Sequence, residues 1–262
     1  MTRILSPWPS NRKGCERSDA HDGGDDSRPP DATASVERAR DLVMRHGWNA
    51  TAYQIINPGI SHWFSERGDG VVGYVRSGNV LVVAGAPVCA LGRIASVAAE
   101  FEEQAMAAGS RVCYFGAGER LESVFRRDRS HSIVGLGAQP SWDPALWPAM
   151  VERKASVRAQ LNRARNKGVT VSLWSSERAS REPALRSCLA EWLATRRLPT
   201  LHFLVEPETL DRLADRRVFV AERSGTAVGF LIASPVATLL PNLPSPTRSV
   251  LSKLGSSASR CS

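Results

Sequence analysis

Apolar residues along the chain follow two periods, one of helices and one of strands. Val36, Ala39, Leu42 and Val43 recur at helical spacing between Ser35, a good N-cap, and Gly47. Alternation then takes over. Val71-Val-Gly-Tyr-Val-Arg76 and Val80-Leu-Val-Val-Ala-Gly85 flank Ser77-Gly-Asn79, which predicts a β-hairpin turning at Gly78-Asn79. Asn57-Pro-Gly59 reads as a tight turn leading to Trp63-Phe64. An amphipathic helix follows over 91–108, closed by Gly109. Next come a strand at 111–115, a helix at 118–127 and a strand at 132–136. Residues 152–168 read as a helix, since Ala, Gln, Arg and Leu dominate, no proline interrupts, and Gly168 stands where a helix stops. The remaining elements are a strand at 169–174, helices at 183–196 and 206–214, and a second hairpin, 217–222 and 227–233, around Ser224-Gly-Thr226.

Helices, a hairpin, a helix and a strand form the element order of a GNAT-like acyltransferase unit. The expected fold class is therefore α+β, with tandem GNAT-like domains, the second incomplete. The first domain spans 35–143, a basic linking helix 144–168, and the second, incomplete domain 169–236. A leader over 1–34 is rich in Pro, Gly, Ser and Asp and lacks apolar periodicity, which predicts disorder. An irregular tail over 237–262 holds three prolines, seven serines and no acidic residue from Thr238 on. The expectation is a chain shortened within its second domain. A disordered tail after a smaller complete domain is the alternative.

Charge sharpens the picture at one helix. The net charge is +8, and the first 35 residues carry five basic and six acidic groups, so the rest carries +9. Six cations and one acid lie in 152–168. At about 100° per residue, Lys154, Arg158 and Arg165 share an arc of about 40°, beside an apolar stripe of Val157, Leu161 and Ala164. The expectation is a helix with one side on a core and a row of cations at the rim. Such a row suits phosphate, because arginine offers a planar fork of donors. It equally describes a solvated face. No apolar run reaches the ~20 residues of a membrane span, and no signal core opens the chain. The expected address is the cytoplasm, including the inner face of the membrane. Five widely spaced cysteines form no metal or CxxC pattern and read as reduced thiols, with Cys89 and Cys113 in the core.

Two sets of short motifs add a resemblance. The first is Tyr53-Gln-Ile-Ile-Asn-Pro-Gly59 with Trp63-Phe64, Gly85-Ala-Pro-Val-Cys89 and Tyr114-Phe-Gly-Ala-Gly-Glu-Arg120. The second is Gln139-Pro-Ser-Trp-Asp143, Asn162-Arg-Ala-Arg-Asn-Lys-Gly168, Glu191-Trp-Leu-Ala-Thr-Arg196 and His202-Phe-Leu-Val-Glu-Pro207. Together, over about 36–236, they resemble the phosphatidylglycerol lysyltransferase C-terminal domain family, the synthase part of the multiple peptide resistance factor. The resemblance implies transfer of an aminoacyl group from a charged tRNA to a lipid hydroxyl, commonly that of phosphatidylglycerol. It implies aminoacyl-tRNA and anionic phospholipid as partners. Lys154, Ser156, Arg158 and Arg163 match the family's basic K-x-S-x-R approach to the linking helix. The family's later acidic residue followed by Arg has no counterpart here, so impaired catalysis is expected.

Aminoacyl transfer needs no metal and no cofactor, because the tRNA ester is already activated. Lys154, Arg158, Arg163 and Arg165 are the candidates for binding a phosphate-bearing substrate, and a structural pairing of Arg158 with Glu152 is the competing account. His202 is the candidate general base, since an unperturbed imidazole titrates near neutrality. A lone histidine beside Phe and Leu is also a common structural residue. Gly116-Ala-Gly118 lacks the rest of a nucleotide fingerprint, and nothing points to DNA. Two other functions stay open: a non-catalytic binder of anionic lipid or RNA, and an acyl-CoA-dependent N-acetyltransferase, for which no clear pyrophosphate loop is visible.

Overall fold

A computed structural model describes residues 30–126, 131–138, 143–195, 202–203 and 206–237. Most of the leader, nearly all of the tail, and the Gln139–Trp142 part of one motif lie outside these residues.

The first sheet is built from β1 (Ser61–Phe64), β2 (Gly70–Ser77), β3 (Val80–Ala84), β4 (Val88–Cys89) and β5 (Arg111–Phe115). Its order is β1-β2-β3-β5, with β4 also on β2. All pairs are antiparallel except β3 with β5. A parallel pair needs a crossover, and α3 (Ile94–Ala107) supplies it. Alternation sends Val71, Val75 and Ala84 to one face, against α1 (Pro30–His46) and α2 (Ala50–Gln54). Val72, Leu81 and Val83 go to the other, against Val97 and Phe101 of α3. α1 begins earlier than expected, so Ser35 lies inside it rather than capping it, and its Oγ sits 3.4 Å from His62 Nδ1. α2 was not expected. Asn49 caps it, accepting from Ala52 N at 2.9 Å. Gly73 lets α2 approach, for a Cβ there would lie 2.4 Å from that of Ile55. Cys89 is buried, but Cys113 is exposed on the outer strand β5, a correction to its expected core place.

Past α4 (Gly118–Phe125) the expected strand at 132–136 is absent. Residues 131–138 are irregular, and Ile133, Val134 and Leu136 are exposed, with no pairing strand among the described residues. The expected basic helix is two helices, α5 (Trp147–Arg153) and α6 (Ala155–Asn166). They break at Lys154, which is extended at φ −98, ψ 91. Its N–H closes α5 on Met150 and Val151, and its carbonyl opens α6 by accepting from Val157 and Arg158. Lys154 therefore does not share the helical arc of Arg158 and Arg165. The expected core contact of α6 is also absent. Leu161 is 40% exposed and no residue of the helix is buried; among the described residues α6 packs chiefly on α5 and β6.

The second sheet has the order β6-β7-β8, from β6 (Val169–Trp174), β7 (Arg217–Arg223) and β8 (Thr226–Ala233), all antiparallel. Ser224 and Gly225, both at positive φ, make the expected hairpin turn. Helices α7 (Ser176–Arg181) and α8 (Pro183–Ala194) cover one face, where Trp174, Leu185, Leu189, Val218, Val220 and Ile232 pack. Residues 206–214, expected as a helix, form turns. Glu206 is the reason at the start: its Oε1 accepts from Glu208 N at 2.8 Å, which fixes a local turn in place of a helical ladder.

Candidate functional site

The five residues singled out in the sequence fall in two places. Arg158, Arg163 and Arg165 stand exposed on α6, and Lys154 stands exposed at its start. Arg158 Nη1 donates to the backbone carbonyl of Glu152, not to its carboxylate. Among the described residues none of the four cations makes an ion pair. Arg158 and Arg165 lie seven residues apart on one helix and so share a face. Arg163 and Arg165 also complement the C-terminal end of the helix dipole.

His202 lies elsewhere, at a joint between the two sheet units. Its φ is +56, which non-glycine residues seldom adopt outside functional or tightly constrained sites. Its ring lies on Gly59, where a Cβ would sit 2.8 Å from ring atoms. Its carbonyl accepts from Asn57 Nδ2 at 2.7 Å, and its Nδ1 lies 3.3 Å from Glu206 Oε2. The Glu206 side chain is 1% exposed, while the imidazole stays partly open. Burial pushes the Glu206 carboxyl above its usual range, against the opposing pull of the Glu208 N–H and His202. The pair is a buried carboxylate orienting a partly open imidazole, an arrangement suited to proton transfer.

Around this pair the joint is polar and tightly bonded. Arg40 grips Asp215 with a fork, Nε to Oδ2 and Nη2 to Oδ1, both at 2.6 Å. Tyr53 donates to Asp215 Oδ2 at 3.1 Å. The next residue, Arg216, donates through Nη2 to Asn57 Oδ1 at 2.5 Å, and Arg212 donates to the Ile56 carbonyl at 3.1 Å. The Arg40 hydrogen bond holds the Asp215 carboxyl below its usual range despite burial. Burial pushes the Tyr53 hydroxyl up and the Arg216 guanidinium down. Phe115 and Phe203 pack at 5.8 Å beside this network. Tyr53, Asn57 and Glu206 stand in the quoted motifs, but nothing in the sequence marks their partners, and Arg40, Asp215 and Arg216 lie outside every motif. No periodic signal marks residues whose partners lie 145 to 175 positions away.

A separate depression of about 360 Å³ lies between β1 and α3, lined by Trp63, Phe64, Glu66, Glu100, Glu103 and Gln104. Its three carboxylates, Glu66, Glu100 and Glu103, make it a poor site for phosphate. Among the described residues no helix is long and apolar enough to cross a membrane.

The family model described as phosphatidylglycerol lysyltransferase, C-terminal, matches residues 39–242. No curated protein matches the chain. Among solved structures, the C-terminal domain of a putative lysylphosphatidylglycerol synthetase from Agrobacterium fabrum is similar at 17% identity and a TM-score of 0.51, over 79% of this chain and 65% of that one. L-PGS from Bacillus licheniformis is similar at 17% identity and a TM-score of 0.53, over 77% of this chain and 62% of that one. A conserved protein of unknown function from Bacteroides thetaiotaomicron gives 14% identity and a TM-score of 0.52, over 78% and 73%. These likenesses establish a shared α+β fold, and the chain spans 62–65% of the first two structures. With the family model covering most of its length, the chain belongs to the phosphatidylglycerol lysyltransferase C-terminal family.

Proposed function

We propose that the chain takes part in aminoacyl-tRNA-dependent transfer of an amino acid to a membrane lipid such as phosphatidylglycerol, at the inner face of the membrane. The fold would be one GNAT-like unit at 35–143 and part of a second at 169–236, linked by the basic segment 144–168. The family match over 39–242 carries this reading. The exposed arginines of α6, none of them ion-paired among the described residues, support it as a contact for lipid or tRNA phosphate.

In this scheme the lipid hydroxyl attacks the carbonyl carbon of the aminoacyl ester. His202, oriented by Glu206, takes the hydroxyl proton as the new C–O bond forms. The tetrahedral intermediate then collapses, the bond to the tRNA 3′ oxygen breaks, and the imidazolium returns the proton to that oxygen. Proton transfer of this kind contributes roughly 10²–10⁴-fold to rate. Lys154, Arg158, Arg163 and Arg165 hold the substrate phosphates.

The test pairs binding with turnover. The chain is mixed with aminoacyl-tRNA and phosphatidylglycerol vesicles, and aminoacyl lipid is measured beside tRNA and vesicle affinity. Arg158→Ala and Arg165→Ala should each weaken binding and flatten its salt dependence. Asparagine tolerates the left-handed backbone, so His202→Asn should keep the fold while transfer falls at least about 100-fold. Unchanged affinity in both arginine variants would end the phosphate role of α6. Binding without any transfer by the unsubstituted chain would leave the non-catalytic binder.

A further inference from the structure

The pairing of His202 with Glu206 leaves open what keeps a histidine at positive φ and a carboxylate turned toward it. Neither residue itself lies in a helix or strand, so neither is held by a backbone ladder. Both trace back to one side chain. Arg216 is only 5% exposed, and its two terminal nitrogens point in different directions. Nη2 donates to Asn57 Oδ1 at 2.5 Å. Asn57 then spends its Nδ2 on the His202 carbonyl at 2.7 Å and on Gln54 Oε1 at 2.9 Å. That amide has no rotational freedom left, because its acceptor and its donors are all engaged. On the other side, Arg216 Nη1 donates to the Thr209 carbonyl at 3.3 Å and to its Oγ1 at 3.1 Å. Thr209 follows Glu208, whose N–H binds Glu206 Oε1 at 2.8 Å. One guanidinium thus anchors the backbone of His202 through Asn57, and the turn that carries Glu206 through Thr209.

We propose that Arg216 is a positioning residue: acting through Asn57 and Thr209, it holds the His202 imidazole flat on Gly59 and within reach of Glu206. This rests on the reading of His202 as the proton acceptor. Lysine could not do the same work, since a single ammonium has no planar fork to span two partners on opposite sides. The geometry of Gly59 agrees. It has φ +81, and any side chain there would displace the ring. Ring and glycine are therefore matched surfaces, and a small rotation of the His202 backbone would separate them.

That contact gives a direct readout. The Gly59 Hα resonances carry a ring-current shift from the imidazole, whose full size is defined by comparing the unsubstituted chain with His202→Asn. Arg216→Lys should lose most of this shift while far-UV circular dichroism still reports a folded chain. Asn57→Asp should lose it too, because the new carboxylate keeps an acceptor for Arg216 but has no N–H for the His202 carbonyl. This second variant covers the case in which Arg216→Lys fails to fold. In Arg216→Ala, millimolar guanidinium should restore the shift where sodium chloride at equal ionic strength does not, an outcome that a general loss of stability would not give. A full Gly59 shift in folded Arg216→Lys and in Asn57→Asp would overturn the proposal. The readout needs no turnover. Absent transfer with the expected shift losses therefore removes the catalytic reading of His202 and keeps the positioning by Arg216, whereas intact transfer with unchanged shifts does the reverse.

Discussion

β2 and β6 are written in the same alternating language, yet they end in opposite environments. β2 lies between α1 with α2 on one side and α3 on the other, and its first four residues are all buried. Among the described residues β6 has helices on one face only, and four of its six residues are exposed, with Val171 at 66% and Leu173 at 55%. The difference lies in the cover, not in the strand. Apolar alternation specifies that a strand forms and which residues share a face. It does not specify what packs over that face.

The largest test of this comparison is a charge placed in each strand. Val72→Asp puts a carboxylate at a fully buried site among Leu81, Val83 and Val97 and should cost more than about 4 kcal/mol. The chain should then fail to give a cooperative melt. Val171→Asp should change stability by less than about 0.5 kcal/mol. Similar losses in thermal unfolding would mean that β6 is as covered as β2.

The joint between the units comes next. Asp215→Ala removes the acceptor of the Arg40 fork and of the Tyr53 hydroxyl, leaving Arg40 only its long, exposed contact with Asp41 at 4.0 Å. A loss of about 2–3 kcal/mol is expected, at the lower edge of what breaking a buried pair costs because Arg40 is partly exposed. Two carboxyls at this joint should respond to pH in opposite senses. The folded pKa of Asp215 is depressed, so its stabilisation is full above its unfolded value near 3.9 and fades as pH falls through the folded value. The folded pKa of Glu206 is raised, so its contribution is full below its unfolded value near 4.3 and fades as pH rises through the folded value. Melting temperature against pH should therefore lose part of its acid-side decline in Asp215→Asn. In Glu206→Gln it should lose part of its decline above pH 4. A single common change in both variants would contradict the opposed environments.

The sequence made some of this architecture readable and hid the rest for identifiable reasons. Both hairpins were visible, because alternation flanks Gly78-Asn79 and Ser224-Gly225 with turn residues whose φ values are positive where needed. Helix α3 was visible from its apolar face and Gly109. The break at Lys154 was not, since lysine and alanine are both good helix formers and no breaker marks it. The turns at 206–214 look helical in sequence because their leucines, Leu210 and Leu213, carry helical spacing. Both are indeed buried, but a side-chain cap from Glu206 claims the backbone first. The cationic character of α6 was legible, while its lack of a buried face depended on what its neighbours leave uncovered. The joint was the least legible. Asp215 and Arg216 look like any polar loop until the fold brings Arg40, Tyr53 and Asn57 to them.

The smallest expected effect is the sharpest probe of the uncovered face. Leu173 stands in one cross-strand row with Phe219 and Leu231, and Val171 stands in the next with Ala221 and Gly229. Phe219 and Leu231 are half-buried by their neighbours, so the row ends in an open apolar edge at Leu173. In place of Val171, threonine keeps the β-branched shape that strands favour and replaces a methyl with a hydroxyl. In place of Leu173 it shortens the side chain, moves the branch to Cβ and adds a hydroxyl that water can solvate. Val171→Thr and Leu173→Thr should therefore shift the melting temperature by less than about 2 °C, since a change under about 0.5 kcal/mol moves a chain of this size by no more. Binding of a dye that reports exposed apolar surface should fall in both variants. The matching change in β2, Val72→Thr, buries an unsatisfied hydroxyl and should cost about 1–3 kcal/mol. If Leu173→Thr proved as damaging as Val72→Thr, the face would have to be covered in solution. The contrast between the two strands would then be one of partner, not of exposure.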